Sequence, residues 1–186
     1  MELLQAIKGR RSVREYSAEP VDDALLRSLI EAAIQAPSAI NEQPWCFVVV
    51  KKPELLAEIS EKAKAYMLKA SLTAPAHPFR DMLRDPKFDI LYHAPVLVVI
   101  GTEQPTDWAI EDCALAAQNL MLAAYDAGLG TCWIGFAQNW LGTPEGKAVL
   151  GLSPSCFPVA PIIIGHPRRS PAPVPHKAPN IKWIEA

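Results

Sequence analysis

Three arginines lie within five residues in the stretch GRRSVREY, joined there by a serine, in a chain without basic excess. Arginine forks, a hydroxyl and backbone N–H groups are what a phosphate monoester requires, so Arg10, Arg11, Ser12 and Arg14 form a candidate hook for one phosphate. The same spacing also describes a solvated basic surface. Further on, APSAINEQPW sets Ser38, Asn41 and Gln43 between Pro37 and Pro44–Trp45. That composition suits either an ordered elbow presenting amides to a planar polar ligand or a plain helix-ending loop over a core tryptophan. In TCWIGF, Gly135 follows a buried run, where the lack of a side chain lets another plane approach the backbone.

Groups that would act as acid, base, nucleophile or metal ligand are scattered. His77, His93, His166 and His176 have no metal-ligand spacing. There is no GxSxG elbow, no GxGxxG, no GxxxxGK[ST], and no cysteine beside a histidine. GLG precedes a strand instead of following one, so Gly128 and Gly130 read as helix-stop residues. Cys46, Cys113, Cys132 and Cys156 contain no CxxC pair and read as buried, reduced thiols. Asp22–Asp23 reads as a helix cap, and Glu111–Asp112 as a solvated or capping helix start. A phosphate hook without acid–base machinery fits a protein whose cofactor carries the chemistry.

The elements that must position these groups alternate between helix and strand without a repeat. ELLQAIK predicts a short helix ended by Gly9, so the hook leaves a helix end. Asp22 caps a helix in which Leu25, Leu26, Leu29, Ile30, Ala33 and Ile34 recur at three- and four-residue steps, until Pro37 stops it. CFVVVK, APVLVVIG, TCWIGF and FPVAPIIIG predict buried strands. PELLAEISEKAKAYML, the Ala-rich WAIEDCALAAQNLMLAAYDAG and TPEGKAVLG predict helices. Ser71 to Phe88, with Pro75, Pro78 and Pro86, predicts a surface excursion or lid. The expected fold class is α+β, a mixed central sheet flanked by helices in one domain spanning residues 1–186. Its last part, 165–186, is a proline-rich basic tail that cannot form a compact element alone and must lie on something.

Composition narrows the partners. With 18 Lys+Arg against 20 Asp+Glu the formal charge is −2, which argues against bulk binding to nucleic acid or to a membrane surface. The 186 residues are 50% hydrophobic, enough for a real core. No signal-peptide core or membrane-length apolar run occurs, so the expectation is a soluble, cytoplasmic protein.

Taken jointly, RRSVREY, LLRSLIEAAIQAPSAINEQPWCFVVV, the Ala-rich helix running into AAYDAGLGTCWIGF, and IIIGHP resemble the nitroreductase family of FMN flavoproteins, from Ile7 to about Pro179. The resemblance implies an intertwined homodimer with two FMN molecules at the interface and the tail reaching the partner. It implies that Arg10, Arg11, Ser12 and Arg14 hold the phosphate and the pyrimidine side of the flavin. Pro37, Ser38, Ala39 and Asn41 would come from the other subunit, and Ile134 and Gly135 would lie beside the N5 edge. Lys177 resembles the family's late phosphate ligand, with Arg168 and Arg169 as substitutes. The implied activity is ping-pong transfer of two electrons from NADH or NADPH to a small-molecule acceptor such as a nitroaromatic or a quinone. A flavin-binding redox module without turnover, and a dehalogenase or flavin-modifying member of the same fold, are the alternatives.

Overall fold

Four apolar runs pair into one sheet in a computed structural model that describes residues 2–71 and 79–185. Strands β1 (Trp45–Val50), β2 (Val96–Thr102), β3 (Gly130–Trp133) and β4 (Phe157–Gly165) are ordered β1-β2-β4-β3. The three ladders are antiparallel. The parallel component among the described residues is an isolated bridge between Ser12 and Thr131, which lays the arginine hook along the outer side of β3. Every residue of the central strand β2 is buried, as a strand covered on both faces requires.

Side-chain alternation divides the core into two layers. Leu97, Val99 and Ile163 face α3 (Pro53–Ser71) and α6 (Gly135–Leu141), packing with Ile59, Ala63, Trp140 and Leu141. Val98, Ile100, Ile162 and Ile164 face α2 (Asp23–Ala33) and α5 (Asp107–Asp126), packing with Leu29, Ala116, Ala117 and Leu120. Alanines on α5 keep its surface shallow, and this helix packs against α1 (Leu3–Gly9), α2 and the sheet, as its composition predicts.

Helix ends follow the capping residues. Asp22 Oδ1 accepts from the Ala24 and Leu25 amides, Thr106 Oγ1 from Ala109, and Thr143 Oγ1 from Gly146 at the start of α7 (Pro144–Val149). Gly128, at φ 77°, closes α5 in the left-handed region that favours glycine.

Two segments differ from the sequence expectation. TCWIGF is not one strand: β3 ends at Trp133, Ile134 is the cap of α6, and Gly135 begins that helix. Apolar periodicity over six residues does not distinguish a strand from a strand end joined to a helix start. Of the expected excursion from Ser71 to Phe88, residues 72–78 lie outside the described residues. The rest contains α4 (Arg80–Arg84), whose Leu83 is fully buried, and Phe79, which meets the ring of Phe136 edge-on at 5.5 Å. The end of this segment is thus packed onto α3 and α6.

Candidate functional site

The hook owes its shape to two inward anchors. Val13 and Tyr16 point inward and are buried, while Ser12, Arg14 and Glu15 point outward and are exposed. The Val13 amide donates to the Thr131 carbonyl at 2.9 Å, and Tyr16 Oη donates to the Val13 carbonyl at 2.7 Å. Gly130 makes the seat: a Cβ there would lie 2.7 Å from the Val13 side chain, so a larger residue would lift the hook off β3. Beyond β4 the chain closes the other side. The Ser17 amide donates to the His166 carbonyl, and the Arg168 amide and Nε donate to the Glu15 and Tyr16 carbonyls.

The three arginines are not equivalent. Arg11 turns back onto its own helix end, its Nη1 donating to the Lys8 and Arg10 carbonyls at 2.7 Å each, which fixes the turn. Its Nε is buried without a hydrogen-bond partner in the protein. Arg10 lines a cavity of about 330 Å³ with Arg11, Gly130 and Pro171. Arg14 and Ser12 line a second, of about 390 Å³, closed on its far side by Arg169 to Ala172. No carboxylate pairs with Arg10, Arg11 or Arg14 among the described residues, whereas Arg169 is paired with Glu15 at 2.5 Å. Positive charge is therefore held at the hook without an internal anion to neutralise it.

Arg14 also belongs to a third cavity, of about 270 Å³, with Tyr92, Cys132, Ile134, Gly135 and Phe136. Its guanidinium lies 5.8 Å from the centre of the Tyr92 ring. Burial pushes the Tyr16, Tyr92 and Cys132 acid groups upward, against the opposing influence of Arg14, so these neighbours stay neutral beside it. Ile134 is buried and Gly135 exposed, and a Cβ built at Gly135 meets no atom within 4 Å. No described residue gives this glycine a packing reason, so among them the space above its backbone is open to a ligand.

The elbow is strained and pinned. Ile40, Asn41 and Gln43 have φ of 44°, 58° and 52°, values uncommon for residues other than glycine and costly for a β-branched one. Two contacts hold them there. Ser38 Oγ accepts from the Gln43 amide at 3.0 Å, and both carboxylate oxygens of Asp112 accept from the Ala39 amide at 3.2 Å. Asp112 is thus neither solvated nor a cap: at 5% exposure it is a buried acceptor that positions the elbow from α5. Its helix period places it on the face shared with Ala109, Cys113 and Ala116, a signal overridden by the usual reading of Glu–Asp as a helix start. The only other left-handed non-glycine residues among those described are Tyr92 and His93, beside Arg14. Their turn is held by Asp89, which accepts from the Leu91 and His93 amides.

In one chain, then, the hook meets Ile134 and Gly135 through Arg14, while Pro37, Ser38, Ala39 and Asn41 line none of these three cavities. Lys177 is exposed in the tail and also lines none of them. Arg168 and Arg169 stand beside the hook.

Residues 7–166 match the nitroreductase family. A protein of Methanothermobacter thermautotrophicus, provisionally named NADH dehydrogenase/NAD(P)H nitroreductase, is 31% identical over 92% of this chain and 80% of its own. A Bacteroides fragilis nitroreductase crystallised with bound FMN superposes with a TM-score of 0.85 at 29% identity, covering 100% of both chains. An iodotyrosine deiodinase of Haliscomenobacter hydrossis is 27% identical over 84% of this chain and 79% of its own. The fold and these matches indicate an oxidoreductase. The chain belongs to the nitroreductase family.

Proposed function

We propose that the protein is a single-domain, cytoplasmic, homodimeric oxidoreductase that binds FMN and passes two electrons from NADH or NADPH to a small organic acceptor such as a nitroaromatic or a quinone. One observation carries this reading: Arg14, Ile134 and Gly135 line the same open cavity, and Gly135 has no packing partner among the described residues. The residues fit the group. An unpaired basic hook suits a single phosphate, and no dinucleotide fingerprint is present for a larger cofactor. No helix among the described residues is long and apolar enough to cross a membrane.

FMN, when bound, supplies a ring that takes a hydride from the nicotinamide and gives two electrons to the acceptor in a second half-reaction. Arg10, Arg11 and Ser12 would hold the phosphate, completed by Lys177 or by Arg168 and Arg169. Arg14 would face the pyrimidine side, where its guanidinium opposes the negative charge that reduction places there. Cys132 and Tyr92, their acid groups pushed up by burial, stay neutral beside that guanidinium and leave its charge to the ligand. Gly135 would offer a backbone N–H and no side chain at the reacting edge, with Ile134 sealing the inner wall. Pro37, Ser38, Ala39 and Asn41 of a second chain would cover the ring and ribityl chain. None of these residues needs to gain or lose a proton during turnover.

The purified protein is expected to be yellow, to release FMN on heating, and to bleach under anaerobic NADH or NADPH and recover colour on adding a quinone. FAD as the main released species would overturn the site, and a yellow protein that neither nicotinamide bleaches would make it a binding module without turnover.

A further inference from the structure

A second cluster of chemically capable side chains lies away from the hook, where β1 and the turn before β4 meet. Cys46 stands directly opposite Gly101 in the β1–β2 ladder, so both present the same sheet face, the one also occupied by Val48 and Val50. Cys156, at the end of the 153–156 turn, reaches that face from the other side of β2, and a Cβ on Gly101 would lie only 3.4 Å from its Sγ. Because Gly101 contributes no side chain, the two thiols meet across the central strand, with Sγ atoms 3.5 Å apart. Glu103, one residue beyond β2, brings a carboxylate oxygen, and the three possible ligand atoms lie within 4.8 Å of one another.

We propose that Cys46, Cys156 and Glu103 form a binding site for one borderline-soft divalent cation of the zinc(II) class, with solvent in the fourth position. A tetrahedral ion with metal–sulfur bonds of about 2.3 Å holds two sulfurs about 3.8 Å apart, close to the spacing already present. The carboxylate is oriented for the task. Ser153 Oγ and Ser155 Oγ both donate to Glu103 Oε2, at 2.5 and 2.8 Å, which fixes the carboxylate beside the two thiols. Ser153 Oγ also accepts from the Cys156 amide at 3.1 Å, so one hydroxyl positions two of the three ligands. Lys147, the nearby cation, is turned to the Pro154 carbonyl.

Without a cation, burial and the neighbouring Cys46 push the Cys156 thiol up to about 12. A divalent ion reverses that balance, because thiolate coordination displaces both protons to solvent. Two thiolates, one carboxylate and the ion sum to a charge of −1 at an edge that Glu103 keeps open to water. The result is a clip between the start of β1 and the turn that leads into β4. Since Cys46 is two residues beyond Pro44, the clip also anchors the base of the strained elbow. The spacing of Cys46, Glu103 and Cys156 along the sequence has no motif, because the ligands are assembled by strand register.

The test uses the flavin-loaded protein, reduced and freed of metal with a chelator, then equilibrated with zinc and desalted. Elemental analysis is expected to give one zinc per chain. Cys46→Ser and Cys156→Ser are expected to lose it, Glu103→Gln to bind at least tenfold more weakly in competition with a chromophoric chelator, and Cys113→Ser to retain it. Zinc is also expected to protect Cys46 and Cys156 of the wild type, and not Cys113 or Cys132 selectively, from alkylation mapped by peptide mass spectrometry, a readout that needs no variant to fold. Less than stoichiometric zinc with both thiols free and alkylated at the metal-free rate would overturn the proposal. So would undiminished zinc in the doubly substituted chain, or a Cys46–Cys156 disulfide formed in place of metal binding. None of these readouts depends on turnover, so failure of the proposed FMN activity leaves the outcome legible.

Discussion

Arg14 and Gly135 make the same cavity from opposite chemistries, one by a charge that no carboxylate among the described residues pairs with and the other by a space that none of the described residues fills. Each allows a separate prediction. Arg14→Ala removes a charge-assisted contact worth about 1–3 kcal/mol, and because that contact strengthens as the ring gains charge, the loss falls on the reduced state. The two-electron midpoint potential is expected to fall by about 20–60 mV, the same energy on a scale where 30 mV is about 1.4 kcal/mol. An unchanged potential at full FMN occupancy would remove Arg14 from the ring. Gly135→Ala acts through space instead. Its Cβ meets no protein atom within 4 Å and its φ is not in the left-handed region, so the apoprotein is expected to melt at the same temperature or slightly higher. Flavin affinity, followed by fluorescence quenching, is expected to drop by tenfold or more because the methyl would occupy the plane of approach. A variant that binds FMN as the wild type does would place the ring elsewhere.

At the scale of elements, the elbow is the segment where local preference and native structure disagree most. Three consecutive-region residues at positive φ store strain of order 1–3 kcal/mol each, and the Asp112 carboxylate on α5 is what opposes their relaxation. Asp112→Ala leaves the Ala39 amide without its acceptor and is expected to cost about 1–3 kcal/mol in urea unfolding and to release bound FMN. Asp112→Asn keeps an acceptor oxygen and is expected to recover most of both. Equal behaviour of the two variants would show that the cavity left by truncation, not the hydrogen bond, is what matters. The contrast between elbow and helices also shows what the sequence makes legible. Asp22, Thr143 and Gly128 announce helix ends because their short-range chemistry acts within one turn. Leu97 to Ile100 announce a strand because burial on both faces leaves a continuous apolar run. The hook is legible as a cluster, but its geometry is not: Arg11 Nη1 is tied to its own helix end while Arg14 faces outward, a distinction set by the turn and not by residue type. Asp112 and the Cys46–Cys156 meeting are invisible in one dimension, since their partners lie 73 and 110 positions away.

For the whole molecule, the question is why the elbow lines none of the three cavities that the hook lines, although these two segments are the most suited to one cofactor. The surface supplies a reason to look to a second copy. Ile40 at the elbow tip is 91% exposed, Trp108 66%, and Trp183 and Ile184 in the tail 78% and 87%, large apolar side chains that a second copy could cover. Residues 168–185 are exposed throughout and have no regular structure of their own. A two-fold dimer that covers these patches makes its two sites equivalent, each taking the hook from one chain and the elbow from the other. Complementation then distinguishes shared from private sites. Let one chain carry Arg10→Ala and Arg14→Ala, and another Ser38→Ala and Asn41→Ala. Either variant alone places a defect in every site. In a mixed dimer one site takes the intact hook and the intact elbow, and the other takes both defects. Co-refolding equal amounts with random pairing makes half the dimers mixed, so about a quarter of the wild-type sites are expected to return in FMN binding and in NAD(P)H oxidation. If hook and elbow serve the same chain's site, every site in every dimer still carries a defect. Activity that stays at the level of the separate variants, with mixed dimers confirmed by mass spectrometry, would rule out the shared site.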